Sequence, residues 1–325
     1  MIKQIRTEQL KPGMYIHDLN CGWLDHPFLS NSFAVKDEAT VAKIAALGIR
    51  ELYINTVRGA DVWEGRPQQD VNAEMERRLQ EIAQKQAEKP VIVALKDETA
   101  RAKRLHTDAN RIVRSMMDDI RLGQQIQVDR VEPMVENIVE SIFRNQDALL
   151  PLVRLKNQDS YTFQHSVGVC ALLAAFARNM KLPKDVIKEV ALGGLLHDVG
   201  KAQVSEEILN KPAKLTDDEF SEMKSHVDHS VALLKLTPGM SQIALDVAGQ
   251  HHERFDGTGY PHKLAGKGIS LYGQMASIVD VYDAITSDRV YRKGMSPAAA
   301  VQKLFEWSKC HFDPAMMQLF LKSVG

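Results

Sequence analysis

Cysteine is scarce in this chain of 325 residues. The three cysteines, Cys21, Cys170 and Cys310, are odd in number and far apart, so they form neither a CxxC motif nor a disulfide framework. A disulfide-stabilised secreted domain is therefore excluded. Reduced thiols in the cytoplasm are the expectation that fits this pattern.

A strong net charge and a long hydrophobic run are also missing. The formal net charge is −1 with 26% charged residues, which lacks the basic footprint of proteins that bind nucleic acid or anionic membranes. The apolar run over residues 167–177 is shorter than the about 18 residues that a membrane span needs. No signal-peptide pattern follows Met1. We expect a cytoplasmic protein without nucleic-acid binding or membrane insertion.

The length and two changes in composition predict three parts. Residues 1–65 combine short strand-like runs with one helix, as in a small α+β accessory domain. Residues 66–149 begin as a charged linker and continue as a helical segment. Residues 150–325 show helical patterns alone. The predicted fold class is therefore mainly α, an all-helical domain preceded by a small α+β domain and a helical linker.

Helix boundaries are indicated at several positions. Asp37 or Thr40 can begin the helix of the first part, Thr216 opens a capping box, and Ser296 precedes a proline. The predicted helix over residues 97–122 carries an apolar stripe that could serve as a dimer seam. Because it spans fewer than four heptads, packing on the C-terminal core is favoured. A homodimer, or a signalling partner bound through the N-terminal or linker region, stays open.

Two adjacent histidines precede a glycine-rich turn in residues 251–261, which read HHERFDGTGYP. Neutral imidazole is the commonest metal ligand in proteins, and glycine allows the backbone to approach a ligand closely. Taken alone, the stretch is equally compatible with a helix end followed by a tight turn.

A second polar pair, His197-Asp198, directly follows an apolar helical segment, and Lys201 lies three residues further on. Burying an imidazole and a carboxylate is costly unless they are paired or bind a metal. The alternative is a helix that ends at Gly200, with a surface Asp–Lys pair. This alternative is weak because the chain contains two such stretches.

Together the two stretches resemble the HD-GYP family, in which HD corresponds to His197-Asp198 and GYP to Gly259-Tyr260-Pro261. The resemblance runs from about residue 150 to the C-terminus and implies a metal-dependent phosphodiesterase for cyclic dinucleotides, chiefly cyclic di-GMP. Residues 10–15 and 23–28 resemble the accessory domain often found ahead of HD-GYP domains.

The resemblance implies seven metal ligands, and each position holds the expected residue type: His165, His197, Asp198, His226, His251, His252 and Asp280. Five imidazoles and two carboxylates suit iron or manganese, with nickel and zinc as alternatives. Seven ligands exceed the needs of one ion, so two divalent transition metal ions bridged by Asp198 are predicted. Trinuclear members of the family carry a glutamate where this chain has Tyr161, which is a poor ligand at neutral pH.

The resemblance also assigns residues to catalysis and to substrate binding. Asp198 and Lys201 are the catalytic candidates, with Lys201 holding a phosphate oxygen or the nucleophile, or else forming a surface pair with Asp198. The substrate-binding candidates are Tyr260, Arg289, Arg292, Lys293, Asp256 and Gly257. Asp283 and Asp288 either orient these groups or serve as helix caps or surface pairs.

The implied reaction converts cyclic di-GMP into linear pGpG and, by a second cleavage, into GMP. Two alternatives remain: the mixed dinucleotide 3′,3′-cyclic GMP-AMP as substrate, and a non-catalytic module that binds a cyclic dinucleotide or a protein. The complete ligand set argues against the non-catalytic module. Since every candidate residue follows position 150, the N-terminal part is expected to be dispensable for chemistry.

Overall fold

A computed structural model of the chain describes residues 1–20, 28, 32–71, 73–74, 77, 93–154, 161–211, 213–287, 294–308 and 310–324. Residues 161 and 162 are described by their backbone alone. A small antiparallel sheet at the N-terminus is followed by helices, which confirms the predicted fold class.

The N-terminal sheet has the strand order β3-β2-β4-β1-β5. Its strands are β1 Ile2–Arg6, β2 Tyr15–Asp18, β3 Phe33–Ala34, β4 Glu51–Asn55 and β5 Arg66–Pro67. Helix α1, Glu38–Ala45, begins where the Asp37 carboxylate accepts a hydrogen bond from the Thr40 amide at 2.8 Å. Asp37 is therefore the cap, as the sequence suggested. Apolar residues from the strands and from α1 form a separate small core.

Eleven further α-helices lie among the described residues after position 93. They are α2 Leu95–Arg121, α3 Val128–Arg154, α4 Tyr161–Asn179, α5 Lys184–Leu196, α6 Glu206–Leu209, α7 Asp217–Lys224, α8 His226–Lys235, α9 Gln242–Gln250, α10 Leu271–Thr286, α11 Pro297–Trp307 and α12 Pro314–Val324. The capping box at Thr216 and the Ser296 cap with Pro297 at the helix start are both confirmed.

The apolar stripe of α2 is buried in the main hydrophobic core, together with residues of α3 and of the C-terminal helices. Ala102, Ala109 and Val113 are fully buried there. This confirms the preference for packing over a dimer seam, because the stripe is already covered within the chain. Among the described helices, none is both long and apolar enough to cross a membrane.

Candidate metal centre

All seven predicted ligands lie together inside the helical domain, in a cluster that we call the polar centre. Five segments supply them: His165 from α4, His197 and Asp198 from the residues after α5, His226 from the start of α8, His251 and His252 from the residues after α9, and Asp280 from α10. Six of the seven side chains are buried, and His252 is partly exposed.

The ligand atoms of the polar centre form three overlapping groups, within each of which all atoms lie within 4.8 Å of one another. The groups are His226, His251 and His252; His165, His197 and Asp280; and His197, Asp198 and His251. The third group shares one histidine with each of the other two. The arrangement is therefore two adjacent ligand sets with Asp198 between them.

The two carboxylate oxygens of Asp198 face different histidines. Oδ1 lies 3.3 Å from Nε2 of His226 and 3.8 Å from Nε2 of His251. Oδ2 lies 3.3 Å from Nε2 of His197 and 3.6 Å from Nε2 of His165. A carboxylate placed in this way can contribute one oxygen to each of two cation positions.

Helix ends orient three of the imidazoles. The Nδ1 atom of each imidazole lies against the backbone carbonyl oxygen three residues earlier, at 2.8 Å for His197 and His251 and at 2.6 Å for His226. The last carbonyls of a helix lack partners within the helix, so a histidine just after the end can satisfy one of them. This contact fixes the ring and turns Nε2 towards the polar centre.

A carboxylate plays the same orienting part for His165, whose Nδ1 lies 2.6 Å from Oδ2 of Asp283. Asp283 is buried one helical turn after Asp280 on α10. Hydrogen bonds of this kind set the tautomer and orientation of metal-binding histidines. The sequence had left Asp283 open as a partner of the substrate-binding groups, a helix cap or a surface pair, and its buried carboxylate instead contacts His165.

A close backbone approach brings the His197-Asp198 segment against helix α8. The Gly200 amide donates to Oγ of Ser230 at 2.9 Å, and a Cβ atom at Gly200 would lie 2.8 Å from Cβ of His229. A side chain does not fit at this position. Glycine at 200 therefore allows the approach to α8 that brings His226 near Asp198.

Charges inside the polar centre are strongly coupled. Burial disfavours the imidazolium form of His197, but the carboxylates of Asp198 and Asp280 outweigh it and raise the pKa of His197 to about 10. Burial also disfavours the charged form of Asp198, yet His197 and Lys201 hold its pKa well below the usual value. Burial and the neighbouring His197 lower the pKa of His251 to about 3. The carboxylates therefore stay ionised and attract positive charge.

The described residues leave two buried ligand atoms without a hydrogen-bond partner, Nε2 of His197 and Oδ1 of Asp198. In addition, Nε2 of His226 and Nε2 of His251 face each other at 3.4 Å. Buried polar atoms normally have partners, and a divalent cation would provide one for all four. Imidazole and carboxylate are suitable ligands for such a cation. The polar centre therefore fits divalent metal binding.

Lys201 lies at the edge of the polar centre. Its ammonium nitrogen lies 2.5 Å from Oδ2 of Asp198, and its side chain is 24% exposed. The predicted pairing with Asp198 is thus present, but it lies at a buried carboxylate and not on an open surface. A cation in this position can reach both the polar centre and a molecule bound outside it.

The GYP loop, which we define as residues 253–265, covers one side of the polar centre. The Tyr260 amide donates to the His252 carbonyl at 3.1 Å, and the two rings stack with centroids 4.7 Å apart. The carboxylate of Glu253 is buried and accepts hydrogen bonds from the amides of His262 and Leu264 at 2.7 and 3.0 Å. Sequence reasoning missed Glu253, although its position beside the paired histidines was a signal.

Asp256 and Gly257, also predicted to bind substrate, lie at the turn of the GYP loop, where Gly257 has a positive φ of 81°. Arg289, Arg292, Lys293 and Asp288 lie outside the described residues. The backbone of Tyr161 begins helix α4, one turn before His165.

The fold and the polar centre define a class: an all-helical domain whose buried His/Asp cluster could hold divalent metals. The profile of the HD domain matches residues 134–316, and that of a domain of unknown function, DUF3391, matches residues 2–131. The chain belongs to the HD domain family.

Three similar proteins carry names that describe an activity. A cyclic di-GMP phosphodiesterase of Pseudomonas aeruginosa is 41% identical across this whole chain and 77% of its own length. A cyclic di-GMP phosphodiesterase and a 3′3′-cGAMP-specific phosphodiesterase of Vibrio cholerae are 38% and 39% identical over 49% of this chain. These matches cover 34% and 36% of the two Vibrio proteins.

Among solved structures, an HDG"Y"P protein from Bdellovibrio bacteriovorus aligns over 98% of each chain. The TM-score is 0.56 and the identity 17%, so this likeness supports the fold alone.

Proposed function

We propose that this chain is a metal-dependent phosphodiesterase that hydrolyses cyclic di-GMP. The observation that carries the proposal is the convergence of seven imidazole and carboxylate side chains in one buried cluster. The similarity across this whole chain to a named cyclic di-GMP phosphodiesterase supports the choice of substrate.

Two ions fit the ligand geometry. Asp198 lies between two ligand sets and directs one oxygen towards each, so His165, His197 and Asp280 would hold one ion, and His226, His251 and His252 the other. Bound divalent ions activate water and neutralise the charge that develops on phosphate oxygens. The ligand types favour iron or manganese, with nickel or zinc as alternatives. The catalytic part of the protein is then the helical domain, predicted at residues 150–325.

The chain's own side chains would bind and orient the dinucleotide. The ammonium group of Lys201, held 2.5 Å from Asp198 at the edge of the polar centre, is placed to contact a phosphate oxygen. Tyr260, stacked on the partly exposed His252, provides a ring and a hydroxyl next to that histidine. Asp256 and Gly257 shape the turn of the GYP loop. Arg289, Arg292 and Lys293 stay predictions for phosphate binding, because arginine can grip phosphate with two hydrogen bonds.

The product should be linear pGpG. A second cleavage requires the linear product to bind again with an additional terminal phosphate near the metals. A third ion could hold that charge, but Tyr161 replaces the glutamate that trinuclear relatives use. We therefore expect two ions per chain in anaerobically prepared protein and slow conversion of pGpG to GMP. Elemental analysis that repeatedly gives three ions would contradict this part of the proposal.

Activity should depend on the polar centre. The double substitution His197→Ala with Asp198→Ala should abolish hydrolysis and metal binding while the circular dichroism spectrum stays that of a folded protein. His229→Ala is the matched control, since His229 lies one turn from His226 on α8 but belongs to none of the three ligand groups. Full turnover by the double variant would refute the assignment of the polar centre. A wild type that is itself inactive would instead favour the alternative of a binding module.

The second candidate substrate is 3′,3′-cyclic GMP-AMP, which a Vibrio cholerae relative is named for. Phosphate and metal contacts are common to both dinucleotides, so the polar centre does not distinguish them. Time-resolved chromatography with both substrates in parallel would do so. A strong preference for the mixed dinucleotide would transfer the assignment to it.

The cytoplasmic location is part of the same proposal and is supported by the dispersed cysteines, of which Cys170 and Cys310 are free thiols. We also propose a homodimer, or a signalling partner bound through the N-terminal or linker region. Size-exclusion chromatography with light scattering would measure the oligomeric state.

A further inference from the structure

The small domain predicted at residues 1–65, which we call the N-terminal unit, contacts the GYP loop directly. Gly48 lies just after helix α1 with a positive φ of 70°, and it faces the side chain of Thr258. A Cβ atom at Gly48 would lie 2.8 Å from Cβ of Thr258 and closer still to its methyl group. Carbon atoms do not approach each other so closely, so any side chain at position 48 must displace Thr258.

Thr258 is in turn hydrogen-bonded to Asp256, a residue predicted to bind substrate. Its amide and its hydroxyl donate to the same Asp256 oxygen at 3.0 and 2.6 Å. The Asp256 amide donates to the Cys310 carbonyl at 3.0 Å, which ties this turn to the segment after α11. A displacement of Thr258 therefore moves the carboxylate of Asp256.

The other side of the loop is tied to the polar centre. Tyr260, two residues after Thr258, bonds to the backbone of His252 and stacks on its ring. The buried carboxylate of Glu253 accepts hydrogen bonds from the amides of His262 and Leu264 in the second half of the loop. The loop thus has two attachments, one at the polar centre and one at the N-terminal unit.

The N-terminal unit is itself docked firmly on α11. The ammonium group of Lys303 donates to Asp18 at 2.8 Å and to Asn20 at 3.1 Å. The indole nitrogen of Trp307 donates to the same Asn20 oxygen at 3.1 Å. We call Asp18, Asn20, Lys303 and Trp307 the docking cluster. Because these contacts hold the sheet in place, the position of Gly48 relative to the GYP loop is defined.

We propose that Gly48 is a positioning residue, whose lack of a side chain allows the N-terminal unit to set the place of Thr258 and, through it, of Asp256 and Tyr260. This inference rests on the proposed function and adds to it a role for the first domain. The first domain supports dinucleotide binding, while the polar centre performs the phosphodiester chemistry. The domain is then not dispensable for the natural substrate, in contrast to the expectation from sequence.

The test compares Gly48→Ala with Gly13→Ala in the full-length, metal-loaded protein. Both glycines belong to the N-terminal unit and both have positive φ, 70° and 91°. A Cβ atom at Gly13 meets nothing within 4 Å. The two substitutions therefore impose a similar backbone strain, and Gly48→Ala alone displaces Thr258.

Two substrates separate binding of the dinucleotide from chemistry. For cyclic di-GMP, Gly48→Ala should raise KM by roughly tenfold, since small misplacements of binding groups have large kinetic effects, and Gly13→Ala should leave KM unchanged. For bis(p-nitrophenyl) phosphate, a small diester without bases, both variants should match wild type. Metal content should stay equal in all three proteins.

A rescue variant tests the contact itself. In a Thr258→Gly background, which removes the atoms that a Cβ at position 48 would meet, adding Gly48→Ala should cause no further rise in KM. Equal KM values for Gly48→Ala and Gly13→Ala, or a full effect of Gly48→Ala in the Thr258→Gly background, would overturn the inference. Failure of the proposed function has a different signature: wild type would not hydrolyse cyclic dinucleotides at all, and the inference would fall with it.

Discussion

The polar centre and the docking cluster both hold charged side chains that are mostly shielded from solvent, but they differ in how far those charges are matched within the chain. In the docking cluster, the ammonium group of Lys303 has oxygen partners on Asp18 and Asn20 and lies 3.4 Å from Glu306. In the polar centre, Nε2 of His197 and Oδ1 of Asp198 have no hydrogen-bond partner among the described residues.

This difference separates two uses of buried charge. A satisfied cluster stabilises one arrangement of the chain, and removing one partner leaves the others uncompensated. An unsatisfied cluster of inward-facing ligand atoms requires a group from outside the chain. Four experiments test this contrast, in order of decreasing expected effect.

Removing metal should destabilise the protein more than any single substitution below. A ligand that binds the folded state alone contributes about 4 kcal/mol when its free concentration is about 1,000 times Kd. Calorimetry with and without a chelator would measure the loss as a lower melting temperature. The His197→Ala, Asp198→Ala double variant is the control, and a chelator effect of equal size in that variant would contradict the prediction.

Lys303→Met should lower the free energy of unfolding by about 3 kcal/mol, because it leaves the largely buried Glu306 carboxylate and the partly exposed Asp18 carboxylate without their cation. Denaturant unfolding would measure the change. Arg111→Met is the matched control: Arg111 pairs with Asp108 on the exposed face of α2, with 77% and 58% of the two side chains exposed, and exposed pairs contribute little. Equal losses of unfolding free energy in the two variants would show that the docking cluster stabilises the fold no more than an exposed ion pair does.

Asp283→Asn should weaken metal binding by about 10-fold to 100-fold, since partners that orient metal-binding histidines typically contribute that much. The amide keeps the size of the side chain but loses the charge that holds Nδ1 of His165 at 2.6 Å. Competition with a chromogenic chelator would measure the affinity. Asp246→Asn serves as the control, because Asp246 lies on α9 outside the polar centre and accepts a hydrogen bond from Gln242. Unchanged affinity in Asp283→Asn would remove Asp283 from the site.

The smallest effect concerns pH. The carboxylate of Glu98 is fully buried and accepts two hydrogen bonds from Arg144, at 2.8 and 2.9 Å, and one from Ser141. Burial opposes its charge, but Arg144 and Ser141 outweigh burial and lower the pKa of Glu98. Its contribution is therefore present above the unfolded pKa of about 4.3 and is lost as pH falls through the lower folded value.

Wild type should consequently lose more stability than Glu98→Gln as the pH falls from about 5 towards the folded pKa of Glu98. Urea unfolding of both proteins across this range would show the difference. Parallel curves for the two proteins would mean that Glu98 keeps an unshifted pKa in the folded state.

Local patterns predicted much of the helical domain. The caps at Thr216 and Ser296 were readable because capping chemistry involves residues at most three positions apart. Strand β1 gives no comparable local signal: its buried and exposed residues do not alternate, and its pairing partner β4 lies about 50 residues away. The GYP stretch and the HD pair pointed to the candidate ligand residues that the structure brings together, since the resemblance depends on residue types and order alone.

Contacts between distant residues were beyond the reach of sequence. The pairing of His165 with Asp283 joins positions 118 apart, and that of Lys303 with Asp18 joins positions 285 apart. Nothing in the neighbourhood of either residue indicates its partner. The contact between Gly48 and Thr258 is of the same kind, because a glycine that ends a helix reads the same whether or not another segment approaches it.

The sequence by itself determined the fold class, the seven residue types and the chemistry that they support. Only the tertiary structure decided that the two oxygens of Asp198 face different histidines, that His197 and Asp198 keep unpartnered buried atoms, and that the first domain meets the GYP loop. The physical reason is one of scale. Residue types follow from the order of the chain, whereas ligand distances of 3 to 4 Å between five helical segments depend on how those segments pack.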